Sequence, residues 1–186
     1  MQTEISDTIS VLNNGGTIIY PTDTIWGLGC DATNESAVEK IYSIKQRKKD
    51  LPLIVLLHDA NQLYDYLSEV PDIAFDLIEL STRPLTIIFE KAKNLAKNVI
   101  GEDNSVAIRI LRDDSCRELL RKFKKPLVST SVNISGKPVA QSIEDIDPQI
   151  ISKVDAIYRK EYPMAKNEAS QIIRLSLNGK ISIIRK

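Results

Sequence analysis

A chain of 186 residues, 42% apolar and 27% charged, has an ordinary globular composition; this excludes fibrous and disordered classes and suits one compact domain over residues 1–186. Lys plus Arg equals Asp plus Glu, 25 of each, so no overall field draws the chain to nucleic acid or membrane, and any anion site has to be local. Residues 1–7 carry neither a basic n-region nor an apolar h-region, and no apolar run is long enough to span a bilayer, so a cytoplasmic location without membrane contact is expected.

In chain order, residues 6–14 place Ile9, Val11 and Leu12 in a short helical pattern that stops at Gly15-Gly16. Thr17-Ile18-Ile19-Tyr20 is β-branched and aromatic, and Pro21 ends its ladder, so this strand delivers the chain into a loop, Thr22-Asp23-Thr24. A helix over residues 34–45, capped by Thr33 or Asn34, puts Lys45 on the core-facing side with Val38 and Ile41. An uncompensated ammonium is costly there, so Lys45 is expected to point at something anionic. The cations Arg47, Lys48 and Lys49 follow, and the apolar run 51–57 reads as a buried strand. Residues 59–67 and 72–80 read as helices separated by Val70-Pro71, with a strand at 84–89 and a polar irregular stretch at 91–104.

The strand at 105–110 keeps Arg109 in register with Ala107, and a helix follows over 113–123. A short strand, 127–131, runs into the turn-rich loop 132–138. Ser142-Ile143-Glu144-Asp145 has capping-box spacing and predicts a short helix. Strands at 154–158, 170–175 and 180–184 complete the chain, the last pair joined through Asn178-Gly179. Strands and helices alternate early and hairpins dominate late, which predicts an α/β fold with a mixed, twisted sheet.

Several chemistries are excluded. The single histidine, His58, stands at a strand-to-helix junction and pairs with no nucleophile in the pattern, so Ser/His/Asp-type hydrolysis is not expected. Cys30 and Cys116 have no partner at metal spacing and read as reduced packing residues, so no structural metal is expected. There is no P-loop and no complete Gly-x-Gly-x-x-Gly; Gly27-Leu28-Gly29 is only a fragment. What remains is a set of hydroxyls, an amide and cations at strand ends: Thr22, Thr24, Lys45, Arg47, Ser105, Arg109, Ser131, Asn133, Ser135 and Arg185. Singly, each has a plain explanation as a turn residue, a helix-end cation or half of an ion pair. Together they suit a pocket for a polyanion plus a small zwitterion, because phosphates take cations and hydroxyl donors and a carboxylate takes an arginine fork.

Ordered segments carry a family resemblance over nearly the whole chain: residues 20–29 (Tyr-Pro-Thr-Asp-Thr-Ile-Trp-Gly-Leu-Gly), Lys45-Gln46-Arg47, Pro84-Leu85-Thr86, Val106-Ala107-Ile108-Arg109, residues 131–138, and Ile183-Ile184-Arg185. The chain resembles the YrdC-like family of threonylcarbamoyl-AMP synthases. The resemblance implies a twisted mixed β-sheet flanked by helices with a concave, positively lined cavity. It also implies synthesis of threonylcarbamoyl-AMP from L-threonine, bicarbonate and ATP with Mg2+, releasing pyrophosphate. The product would serve a threonylcarbamoyl transferase that modifies tRNA. By the same resemblance Lys45 and Arg47 would be catalytic and contact ATP with Ser105, Asn133 and Arg185, while Thr24, Arg109, Ser131 and Ser170 would hold threonine. The chain departs from the family pattern at Lys48, Leu51 and Leu56, where a proline, a polar residue and a histidine are common, and at Asp23 and Trp26. The alternative function is a non-catalytic RNA-binding module using the same concave surface.

Overall fold

The computed structural model describes residues 2–22, 24–46, 53–112, 114–134, 138, 140, 142–158 and 169–186. Lys48, Leu51 and Ser135-Gly136-Lys137 lie outside them, as do Asp23 and the candidate Arg47. In order, the elements begin with β1 (Gln2–Thr3), α1 (Ile5–Asn13), β2 (Ile18–Tyr20), β3 (Gly27–Gly29), α2 (Glu35–Lys45) and β4 (Ile54–Leu57). A 3-10 turn (Ala60–Gln62) leads into α3 (Leu63–Tyr66), α4 (Ile73–Leu80), β5 (Leu85–Phe89), β6 (Val106–Ile110), α5 (Asp114–Phe123) and β7 (Leu127–Ser131). The chain continues through α6 (Pro148–Ile151), β8 (Ala156–Tyr158), β9 (Gln171–Leu175) and β10 (Ile181–Arg185). The strands form one mixed sheet in the order β1-β8-β2-β3-β7-β4-β6-β5-β9-β10.

The period-2 alternation of the central strands divides the residues between two faces. Val55, Ile87, Ile108 and Val128 point to one face and pack with Val38, Ile41 and Ile44 of α2, Leu63 of α3 and Ala74 of α4. The other face is shared. At one end Ile18, Tyr20, Leu56 and Leu127 are covered by Leu12 of α1 and by Leu119, Leu120 and Phe123 of α5, with Cys116 buried among them. At the other end Ile54, Ala107, Ile88 and Ile172 border an open cavity.

Local chemistry accounts for the element ends. Asn34 caps α2, its side chain accepting the Ala37 N–H at 3.0 Å, and Gln46 ends the helix in the left-handed region at φ 50°. The Asn178-Gly179 turn joins β9 to β10 as the dipeptide predicts, with Gly179 at φ +82°. Both cysteines are buried and neither forms a disulfide. Two sequence expectations change. The segment after Ser142 is a turn closed by Asp145, and the helix begins instead after Asp147, whose carboxylate accepts the Gln149 N–H at 2.9 Å with Pro148 in the first turn. Residues 59–67 form a 3-10 turn and a single helical turn, because Asp59 and Gln62 build a tight capping box there.

Gly27-Leu28-Gly29 is a strand and not a phosphate loop. It pairs antiparallel to both β2 and β7, and a Cβ on Gly29 would stand 2.1 Å from the Val128 carbonyl oxygen. A Cβ on Gly27 would stand 2.8 Å from the Tyr20 ring, whose hydroxyl donates to the Val128 carbonyl at 3.2 Å. These glycines let an aromatic ring cross their strand, a close approach that a side chain would block.

Candidate active site

The cavity encloses about 310 Å³, near the lower end of the roughly 300–1,000 Å³ usual for small-molecule sites. Strand register builds its floor. Ile54 of β4, Ala107 of β6 and Ile88 of β5 lie side by side in one row, and Leu56, Arg109, Thr86 and Ile172 form the next. Arg109 therefore emerges from the sheet between an apolar neighbour, Leu56, and a hydroxyl, Thr86. Ile184 and Arg185 of β10 close one side, and Thr22, Thr24, Trp26, Ser129 and Ser131 close the other.

Two polar clusters flank this floor. The first gathers around Arg109, which is 5% exposed and donates through Nη1 to Thr24 Oγ1 at 3.1 Å. Thr24 in turn stands 2.9 Å from the Thr22 hydroxyl. Opposite them Ser170 shares a 2.8 Å hydroxyl contact with Thr86, and its carbonyl accepts from Arg185 Nε at 3.0 Å and Nη2 at 2.7 Å. Burial, reinforced by the charge of Arg109, pushes the Arg185 guanidinium down from its ordinary value. Among the described residues bordering the cavity none is acidic.

The second cluster gathers around Lys45, brought to the sheet by the last turn of α2 and only 2% exposed. Its ammonium donates to the Ser131 carbonyl at 2.5 Å, Asn133 Oδ1 at 3.0 Å and Ser131 Oγ at 3.3 Å. The Ser131 hydroxyl also donates to Asn133 Oδ1 at 2.5 Å. The buried charge is thus compensated by oxygen acceptors at the C-terminal end of β7. Where something anionic was expected, the described acceptors of Lys45 are a neutral carbonyl, hydroxyl and amide, and Lys45 reaches the cavity through Ser131.

The structure thus brings Thr24, Arg109, Ser131, Ser170 and Arg185 to one cavity and sets Lys45 and Asn133 behind its Ser131 wall. Ser105 does not border it: its hydroxyl donates to Asp103 at 2.6 Å, and Asp103 pairs with Arg174 at 2.8 Å. Those contacts, the Ser105 hydrogen bond foremost, hold the Asp103 carboxyl below its ordinary value. Sequence reasoning did not assign Thr86, Ser129 or the apolar floor to the site. The alternation of β5 through Thr86 and Ile88 carried that signal once β6 was placed beside it.

An open α/β cavity lined by two arginines and small hydroxyls, with a buried lysine behind its wall, has the chemistry to take an anionic small molecule. Residues 10–186 match the model of the Sua5_yciO_yrdC family, described as telomere recombination, and the chain belongs to that family. A threonylcarbamoyl-AMP synthase of Pseudoalteromonas translucida (strain TAC 125) is 33% identical over 183 residues, 97% of each chain. The crystal structure of P. abyssi Sua5 complexed with L-threonine matches with a TM-score of 0.84 and 26% identity over 94% of this chain, which spans 53% of that one. E. coli YciO shares the fold with a TM-score of 0.85, at 23% identity and over 98% of this chain and 88% of its own.

Proposed function

We propose that this protein is a threonylcarbamoyl-AMP synthase, joining L-threonine, bicarbonate and ATP and releasing pyrophosphate. The observation that carries this reading is the 33% identity to a threonylcarbamoyl-AMP synthase, which extends over 97% of both chains. The chemistry asks for no protein nucleophile. Bicarbonate yields carbon dioxide with loss of water, the threonine nitrogen adds to it and gives up a proton to form a carbamate, a carbamate oxygen attacks the α-phosphorus of ATP, and pyrophosphate leaves. Positioning and charge neutralisation are what the protein has to supply, and a cavity of arginines, hydroxyls and a buried lysine suits that task.

In this reading Arg109 takes the threonine carboxylate, with Thr24, Ser131 and Ser170 around the amino acid. Arg185 faces the nucleotide from the β10 side. Lys45, with Arg47 and Asn133, neutralises the departing pyrophosphate by trading part of its contact with the Ser131 carbonyl for a phosphate oxygen. Ser105 serves the nucleotide only by releasing Asp103, a more distant role than the resemblance implies. ATP enters as its Mg2+ complex, the cation travelling on the phosphates; among the described residues no group of three or more His, Cys, Asp or Glu forms a metal site. The adenylate is an activated carbamoyl donor, suited to a transferase that forms threonylcarbamoyladenosine in tRNA. No described helix is long and apolar enough to cross a membrane.

The test is pyrophosphate release from purified protein, with the adenylate identified by mass spectrometry. Release that requires ATP, L-threonine and bicarbonate together is expected; release indifferent to threonine would refute the assignment.

A further inference from the structure

The large apolar side chains that stand exposed among the described residues fall in two places: Tyr64, Ile73 and Leu80 on α3 and α4, and Ile181, Ile183 and Ile184 on β10. Ile184 borders the cavity with Arg185 and is accounted for there. The other five join neither apolar core, and Leu80 and Ile183 are 77% and 64% exposed. Ile181 pairs with Leu175 and Ile183 with Ile173, which pairs in turn with Ile87 of β5. Ile181 and Ile183 therefore lie on the face of the sheet that α2, α3 and α4 cover, opposite the cavity.

α4 turns Ala74 into the core and sets Ile78 against Leu85 of β5 and Ile110 of β6. Helical spacing then puts Ile73, Asp76 and Leu80 on its outer side with Asp72 and Glu79 beside them, and all five are exposed. β9 and β10 carry the sheet on past β5. The result is a step, in which an acidic, apolar ridge stands next to an apolar ledge flanked by the exposed Lys180 and Lys186.

A ridge beside a ledge of its own complementary charge is self-complementary under a two-fold axis, because each copy's ridge meets the other's ledge. Pairing of two β10 edges is disfavoured by comparison. Run antiparallel, it would bring Lys180 of one copy toward Lys186 of the other, and the register shift between Ile183 and Arg185 interrupts the edge. We propose that a second copy of this chain docks on this step, α4 of each copy seated on β9–β10 of the other, with Asp72, Asp76 and Glu79 facing Lys180 and Lys186. The contact lies on the face of the sheet opposite the cavity, so it leaves the cavity mouth open.

Sedimentation velocity of the full chain over a concentration series tests this. A monomer–dimer equilibrium that weakens as salt rises is expected, since salt screens exposed charges. Asp76→Lys with Glu79→Lys makes the ridge basic, and Lys180→Glu with Lys186→Glu makes the ledge acidic. Each pair of substitutions is expected to raise the dimer Kd about a hundredfold by setting like charges face to face. An equal mixture of the two reversed chains joins a basic ridge to an acidic ledge and an acidic ridge to a basic ledge, so the dimer should return. Such recovery shows that both chains are folded. Ile183→Thr, at a side chain already exposed in the single chain, is expected to weaken the dimer about tenfold. A monomer at every concentration overturns the proposal, as does failure of the mixture to recover or a Kd unchanged by Ile183→Thr. A dimer indifferent to the ridge substitutions is joined through β10 alone and overturns it too.

Discussion

Leu56 and Ile54 leave β4 on the same face of the sheet and meet different surroundings. Leu56, 1% exposed, is packed under α5 with Leu127 and Phe123, whereas Ile54 borders the cavity. The same boundary crosses β7, where Leu127 is in the core and Ser129 and Ser131 face the cavity, and β6, where Arg109 stands directly beside Leu56. On the covered half, apolar side chains and two amphipathic helices supply stability through area removed from water. On the open half no described helix covers the sheet, and its described polar side chains bond to one another or to backbone carbonyls. Stability and recognition are thus separated along a single face, and substitutions should separate in the same way.

The largest effect is expected from the covered half. Leu119→Ala should cost about 2–5 kcal/mol in urea unfolding, as truncation of a fully buried leucine does, while threonine affinity below the transition stays near that of the parent. Lys45→Ala tests the seam, since Lys45 comes from the opposite face and serves the open half. Adenylate formation is expected to fall by about 10²–10³, the loss typical of a preorganised charge-stabilising group, measured as single-turnover pyrophosphate release. A full rate with an unchanged melting temperature would refute its assigned role. On the open half, Arg109→Ala should weaken threonine binding by about 1.5–3 kcal/mol, the range for hydrogen bonds to a charged group, with ATP affinity retained in calorimetry.

The smallest effect is a pH dependence that should touch one half only. His58 follows β4, its carbonyl accepts from Arg117 of α5 at 3.2 Å, and its Nδ1 is buried without a partner. Burial lowers its pKa from the ordinary 6.5, so the folded chain prefers the neutral ring. The associated stability is present above pH 6.5 and is lost as pH falls from there through the lowered folded value. Urea midpoints at pH 8 and pH 5.5 should show that decline, and His58→Gln should flatten it. The described residues bordering the cavity include none that titrates between those pH values, so threonine affinity should not follow the stability curve.

The α/β class, the placement of the principal central strands and helix α2 with its Asn34 cap were legible in the sequence, because period-2 and period-3.6 patterns and caps are local signals. So was the core-side position of Lys45, since helical spacing alone puts it on the face of Val38 and Ile41. One element left unassigned by the sequence was decided by contacts distant in the chain, and one misplaced helix start by a stronger local cap. Gly27-Leu28-Gly29 carries little strand propensity and is a strand because β2 and β7 bond it on both edges while Tyr20 occupies the space its missing side chains leave. The capping-box pattern at Ser142 lost to Asp147-Pro148, where a fixed proline φ and a carboxylate cap start the helix more effectively.

By itself the sequence determined which residues have chemistry to offer: arginine and lysine at strand and helix ends, paired threonines after a proline-stopped strand, and a serine–asparagine loop. Tertiary structure alone decided how those groups meet. Strand register set Arg109 between Leu56 and Thr86, and the last turn of α2 brought Lys45 onto Ser131 and Asn133. Arg109 is joined to Thr24 Oγ1, and Ser105 is drawn away to Asp103. The reason is physical: residue type limits which bonds a side chain is able to make, whereas the bond it does make depends on which neighbours register and packing place within about 3 Å.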